Sequence, residues 1–257
     1  MTQQPAPSRQ PLQPDPELYP DVAAAGSLRA ALAQFAAEND LDVGEVRSSA
    51  DGSSLIHAGI TSRNPRLNRF SVSLGSTERV FHIDAWGQGV KLTGGSTSDL
   101  AEIAKAAAAW HAGATLAELQ TAAPFLKVSP FALAHERGPE YAVAEKWSRY
   151  LAPDSDENLE LLQAAHSEPR LRALFPVTSH GALTFSRCTG FPFSHNVSVI
   201  YPLRDRRYAV HHHGEPFSLE PGYTAQEAAA VVVAHMPESW GPAVAGTQHD
   251  LHDHENQ

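Results

Sequence analysis

The stretch Val80–Trp86 sets His82 and Asp84 two residues apart, so a strand would project both from one face, with Trp86 beyond them. A carboxylate beside an imidazole orients the ring and raises its basicity, which a general base requires. The plainer reading of the same residues is the outward polar face of a half-buried strand. A second group is Thr178-Ser179-His180 followed by Arg187-Cys188. His180, between a turn and a glycine, is accessible at a strand start and is the other candidate base. Cys188 would be a nucleophile if an imidazole or Arg187 lowered its thiol pKa. Sharing a strand face with Thr184 and Ser186, it reads more simply as a small buried hydrophobe. Arg187 and Tyr208 are the groups able to stabilise developing negative charge. The candidate catalytic residues are therefore His180, Arg187, Tyr208, His82 and Asp84.

His211-His212-His213 is the most conspicuous run. In a strand, His211 and His213 share a face roughly 6–7 Å apart, a spacing compatible with two ligands on one metal. Two imidazoles do not complete a zinc site, and a third ligand would have to come from His180, His195 or Glu215. The plainer reading is a solvent-facing strand end, and no metal ligands are assigned. His249, His252 and His254 read as a solvated tail, because a flexible segment loses entropy on forming a site. No Gly-rich phosphate loop, Gly-x-Ser-x-Gly elbow or kinase catalytic loop occurs, so nucleotide enzymes, common hydrolases and kinases are unsupported. No cofactor is expected.

The composition frames these candidates. The 257 residues are 42% hydrophobic and 19% charged, which fits a globular protein with a substantial core. The formal charge of −10 argues against a nucleic-acid or anionic-membrane partner, since both need clustered Lys and Arg. No apolar run approaches the roughly 18 residues of a spanning helix. The single cysteine excludes an internal disulfide and suggests a reducing cytoplasm.

The elements that must position the candidates read as an α+β architecture. Residues 1–20, rich in Pro and Gln, are expected to be a disordered lead-in. Residues 21–123 form a first unit: a helix capped by Ser27, strands around Leu55–Ile60, Phe70–Leu74 and Val80–Trp86, then a helix begun by Asp99 and Glu102. Gly94-Gly95 is expected to break the strand pattern. Residues 124–176 form a helical connector, with Pro139 at the start of one helix and Pro176 at the end of another. Residues 177–247 repeat the strand unit and end on a helix with the capping box Thr224-Ala-Gln-Glu227. The expected fold is thus two pseudo-repeated units of helix, three-stranded antiparallel meander and helix. Residues 248–257 are expected to be a disordered His-rich tail.

Several of these segments carry a resemblance. They are Ala25-Gly-Ser-Leu-Arg, Asp99-Leu-Ala-Glu-Ile-Ala with Trp110-His111, Glu168-Pro-Arg-Leu-Arg-Ala-Leu-Phe-Pro-Val-Thr-Ser-His180, Tyr223-Thr-Ala-Gln-Glu-Ala and Gly241-Pro-Ala-Val. The chain from about Tyr19 to Gly246 resembles an actinobacterial family of uncharacterised proteins labelled "natural product biosynthesis protein". The resemblance implies a cytoplasmic protein of a specialised-metabolite pathway, such as one modifying ribosomal peptides, and supplies no catalytic residues. The expected partners are a peptide or small-molecule intermediate and other biosynthetic proteins. The expected role is an accessory or binding protein that holds an extended peptide by strand addition. The alternative is a cyclase adding a Cys thiol to a dehydroamino acid, with a histidine base and Tyr208 or Arg187 on the enolate. A metal-dependent enzyme using His211 and His213 is a third reading.

Overall fold

In the computed structural model, residues 12–48, 54–153, 158–216, 218 and 222–255 are described, with side chains through Leu251. The chain is α+β and divides into two compact units, residues 1–87 with 91–129 and residues 88–90 with 130–257.

The first unit begins with α1 (Pro20–Ala24) and α2 (Leu28–Glu38), the latter capped by the Ser27 side chain on the Ala30 amide. Its strands are β1 (Val46–Arg47), β2 (His57–Thr61), β3 (Arg69–Leu74), β4 (Phe81–Gly87), β5 (Val90–Thr97) and β6 (Lys127–Val128), paired in that order as one sheet. Between β5 and β6 lie α3 (Leu100–Ala112) and α4 (Leu116–Ala122). Alternation decides the faces, because successive side chains leave a strand on opposite sides. Phe70, Val72 and Leu74 on β3 and Phe81, Ile83 and Ala85 on β4 are buried, and Trp110 of α3 packs on Phe70 at 5.9 Å. Asp99 caps α3 through the Ala101 amide, but the expected partnership with Glu102 is absent because the Glu102 carboxylate accepts the Thr97 hydroxyl instead.

Gly94-Gly95 does not break the sheet. β5 runs through both glycines, and Thr93 and Gly94 pair with Val128 and Lys127 of β6. The glycine is there for closeness: a Cβ on Gly95 would lie 2.5 Å from the Phe125 carbonyl oxygen. Gly95→Ala is expected to cost about 1–3 kcal/mol by overpacking, read as a lowered denaturation midpoint. Full stability in that variant would show that this segment yields.

The second unit opens with α5 (Pro130–Arg137), α6 (Pro139–Tyr150), α7 (Leu159–Ser167) and α8 (Pro169–Arg172). An antiparallel meander follows, β7 (Phe175–Ser179), β8 (Ala182–Ser186), β9 (Val199–Pro202) and β10 (Tyr208–His211), and then α9 (Ala225–His235) and α10 (Gln248–Glu255). The helices expected as a connector pack into this unit's own core: Val143 and Trp147 of α6 and Leu161 and Leu162 of α7 join Phe185, Ile200 and Val232. Phe175 and Pro176 lie in β7, not in a helix, and proline is tolerated because β7 is an edge strand of its sheet. Thr224 and Glu227 form the expected capping box on α9.

Among the described residues one sheet has six strands, with α3 and α4 between its last two, and the other has four, where two three-stranded meanders were expected. Two expectations of disorder also meet structure. Tyr19 is buried and Pro20–Ala24 is helical, whereas residues 1–11 lie outside the described residues. Gln248–Glu255 is helical, with Leu251 buried.

Candidate functional site

One face of α6 lines a cleft in the second unit. Glu140, Ala144, Trp147 and Leu151 recur at spacings of three and four, which stacks them along one side of a helix. Facing them are His166 from α7, Pro169, Arg172 and Ala173 from α8 and its end, and Pro242 with Ala243 from the segment after α9. The cleft encloses about 870 Å³, within the range of small-molecule sites. Its lining is mostly apolar, with Glu140, Ser148, His166 and Arg172 as the polar groups.

The polar groups are held from behind. The Trp147 indole N–H donates to the Arg172 carbonyl at 3.1 Å, which ties α6 to α8. Arg172 Nη1 donates to the His166 carbonyl at 3.3 Å. The His166 ring stands edge-on to Trp147, with centroids 5.1 Å apart. Neither of its ring nitrogens has a hydrogen-bond partner among the described residues. Burial, with the Arg172 charge second, pushes the His166 pKa below its ordinary 6.5. The half-buried imidazole thus leaves both nitrogens open to solvent or to a ligand in the cleft.

Within the second unit, the residues singled out in the sequence are not brought together. His180 and Gly181 form the two-residue turn joining β7 to β8, both with positive φ (51° and 79°), and His180 is exposed there. That backbone matches the type I′ hairpin turn, so the position has a structural reason independent of chemistry. Arg187 follows the far end of β8, and its guanidinium stacks over Trp240 at 4.6 Å. The strand between His180 and Arg187 rises about 16 Å over five residues. Tyr208 is buried and its hydroxyl donates to Asn158 Oδ1 at 3.1 Å. His82 and Asp84 do share an outward face of β4, in the first unit, but the Asp84 carboxylate pairs with Lys91.

The histidine run resolves differently from its alternation. β10 ends at His211, and it is His212 that packs: its Nδ1 lies 2.7 Å from Ser198 Oγ, and its ring stacks on His235 at 3.4 Å and 11°. No group of three or more His, Cys, Asp or Glu is placed to hold a metal among the described residues. Cys188 is buried, and burial raises its thiol pKa, the reverse of what activates a nucleophile.

The edges expected to accept a peptide strand are short or already engaged. β1 and β6 are two residues each. On β7, Pro176 has no N–H, and the Thr178 amide donates to the Tyr150 hydroxyl at 3.3 Å. On β10, Tyr208 exchanges both backbone bonds with Tyr223.

His166 and Arg172 were not legible as site residues, because residues 124–176 read only as helical. The faint signal was a histidine and an arginine six residues apart across Pro169. Residues 141–247 match a family model described as "Family of unknown function (DUF6193)". This segment covers most of the second unit and all of α7 and α8. No curated protein and no solved structure matches the chain. No helix among the described residues is long and apolar enough to cross a membrane.

Three histidines set an acid limit on stability. Burial lowers the pKa of His135, which is 5% exposed with Nε2 3.2 Å from Thr189 Oγ1, and of His166 and His212. The unfolded chain then binds these protons more readily than the fold, so stability falls as pH drops below about 6.5 toward the lowered folded values. Urea midpoints at pH 7.5 and 5.5 are expected to show the loss, and His135→Gln to reduce it. An unchanged midpoint would contradict the burial of these rings.

Proposed function

We propose that this is a binding protein that holds a peptide or small-molecule intermediate in the α6–α8 cleft of its second unit. The observation that carries this reading is the unpartnered His166 imidazole facing an apolar cleft built largely from the family-matched segment. Concave, apolar sites with a few convergent polar groups and a perturbed titratable residue are where ligands bind. Within the second unit, the separation of His180 from Arg187 along β8 and the engagement of the buried Tyr208 hydroxyl by Asn158 support binding over the cyclase alternative, which needs a base and an acid within reach of one substrate. The resemblance supplies the setting, a cytoplasmic natural-product pathway with other biosynthetic proteins as neighbours. The cleft takes over the role that strand addition was expected to play.

The test uses an uncharged apolar probe, N-phenyl-1-naphthylamine, whose fluorescence rises on leaving water. Binding to the full chain is expected, and Ala144→Trp, which fills the cleft from an exposed helix position, is expected to abolish it with circular dichroism unchanged. Equal binding by the folded Ala144→Trp protein would overturn the reading.

A further inference from the structure

We propose that the ligand is a short apolar peptide with both termini free, its C-terminal carboxylate on Arg172 and its ammonium at Glu140; this rests on the cleft being the binding site. The argument starts from two charges. Neither the Arg172 guanidinium nor the Glu140 carboxylate has an ion-pair partner among the described residues. Among the described residues, the Arg172 side chain is hydrogen-bonded only to the His166 carbonyl, through one of its five N–H groups, and its remaining donors suit a carboxylate. Glu140 sits at the opposite end of the α6 face, with its oxygens over Gly138: a Cβ there would lie 2.8 Å from Oε2.

Length then selects the ligand. Trp147, beside which His166 and Arg172 lie, is seven residues from Glu140, whose oxygens lean two residues further back over Gly138. The helix rise between the two ends is therefore about 10–14 Å. An extended chain advances about 3.3–3.6 Å per residue, so three to four residues place an ammonium and a carboxylate at these two ends. Between the charges, Val143, Ala144 and Trp147 offer apolar surface for side chains. The neutral His166, beside Trp147, can donate to or accept from a peptide amide at the Arg172 end of that span. A fatty acid would leave Glu140 unanswered, and a polyamine would meet Arg172 with like charge.

The probes are Leu-Ala-Leu, its C-terminal amide and its N-acetyl form, titrated calorimetrically into the full chain. The free peptide is expected to bind about tenfold more tightly than either blocked form, in line with loss of one charge-assisted contact. Arg172→Gln should bind the acid no better than the amide. Glu140→Gln should do the same for the free and acetylated forms. Equal affinity for acid and amide in the unaltered protein overturns this inference, while naphthylamine binding that Ala144→Trp abolishes keeps the cleft reading intact. Failure of both the peptides and the naphthylamine to bind overturns the two together.

Discussion

Trp147→Ala is expected to destabilise the second unit by about 3–5 kcal/mol, the usual range when a large buried aromatic is removed. The indole is 2% exposed and stands between two layers. One side meets Phe185 of the sheet, with centroids 6.3 Å apart, and the edge of His166 lies on the other. Its N–H also satisfies the Arg172 carbonyl at the end of α8. Removal therefore opens a cavity and leaves a partly buried acceptor without its donor. Trp147→Phe separates the two effects: most of the ring volume stays, and the cost should fall to about 1–3 kcal/mol for the orphaned carbonyl. Denaturant unfolding followed by far-ultraviolet circular dichroism reads both values. A loss under 1 kcal/mol in the alanine variant would mean that α6 is not packed on the sheet as described.

The second large effect lies where the sequence suggested no structure. Tyr19 is 1% exposed, and its hydroxyl lies 3.0 Å from the Gly75 and Glu78 carbonyls and 2.9 Å from that of Val80. The same oxygen accepts the Val80 amide at 3.0 Å. The ring meets Phe81 edge-on at 5.6 Å, and Arg79 covers it before pairing with Asp21 through two 2.8 Å bonds. One phenol thus ties the start of the first unit to the turn between β3 and β4. Tyr19→Ala should cost about 3–5 kcal/mol and Tyr19→Phe about 1–3 kcal/mol, because phenylalanine keeps the packing but leaves the turn groups unmet. If Tyr19→Phe proves neutral, water replaces the hydroxyl and the hub is not structural.

These two residues also show what a sequence can carry. Trp147 lies at helical spacing from Ala144 and Leu151 in a segment opened by Pro139, a stripe that reads in the sequence as core. The same stripe concealed the cleft: a helix face lining a site and a helix face lining a core have one periodicity, and only the neighbours that fail to cover it tell them apart. Tyr19 was hidden by its surroundings, because Pro- and Gln-rich composition outweighs one aromatic whose partners lie 56 or more residues away. The strands with strict alternation, β3 and β4, and the caps at Ser27, Asp99 and Thr224 were legible because each rests on local geometry. β6 was not, being two residues held by a long-range pairing, and Gly94-Gly95 misled because a glycine needed for close approach looks like one that ends a strand. His180 looked reactive for the property that makes it a turn residue, its position before a glycine.

The most direct measurement of the central claim is the imidazole nitrogen-15 spectrum of the histidines, recorded with and without Leu-Ala-Leu at pH 7. The account predicts a neutral His166 whose ring nitrogens shift on ligand addition, while His180 and His82 stay where they were. A shift at His180 or His82 with His166 unmoved would place the ligand elsewhere and contradict the account.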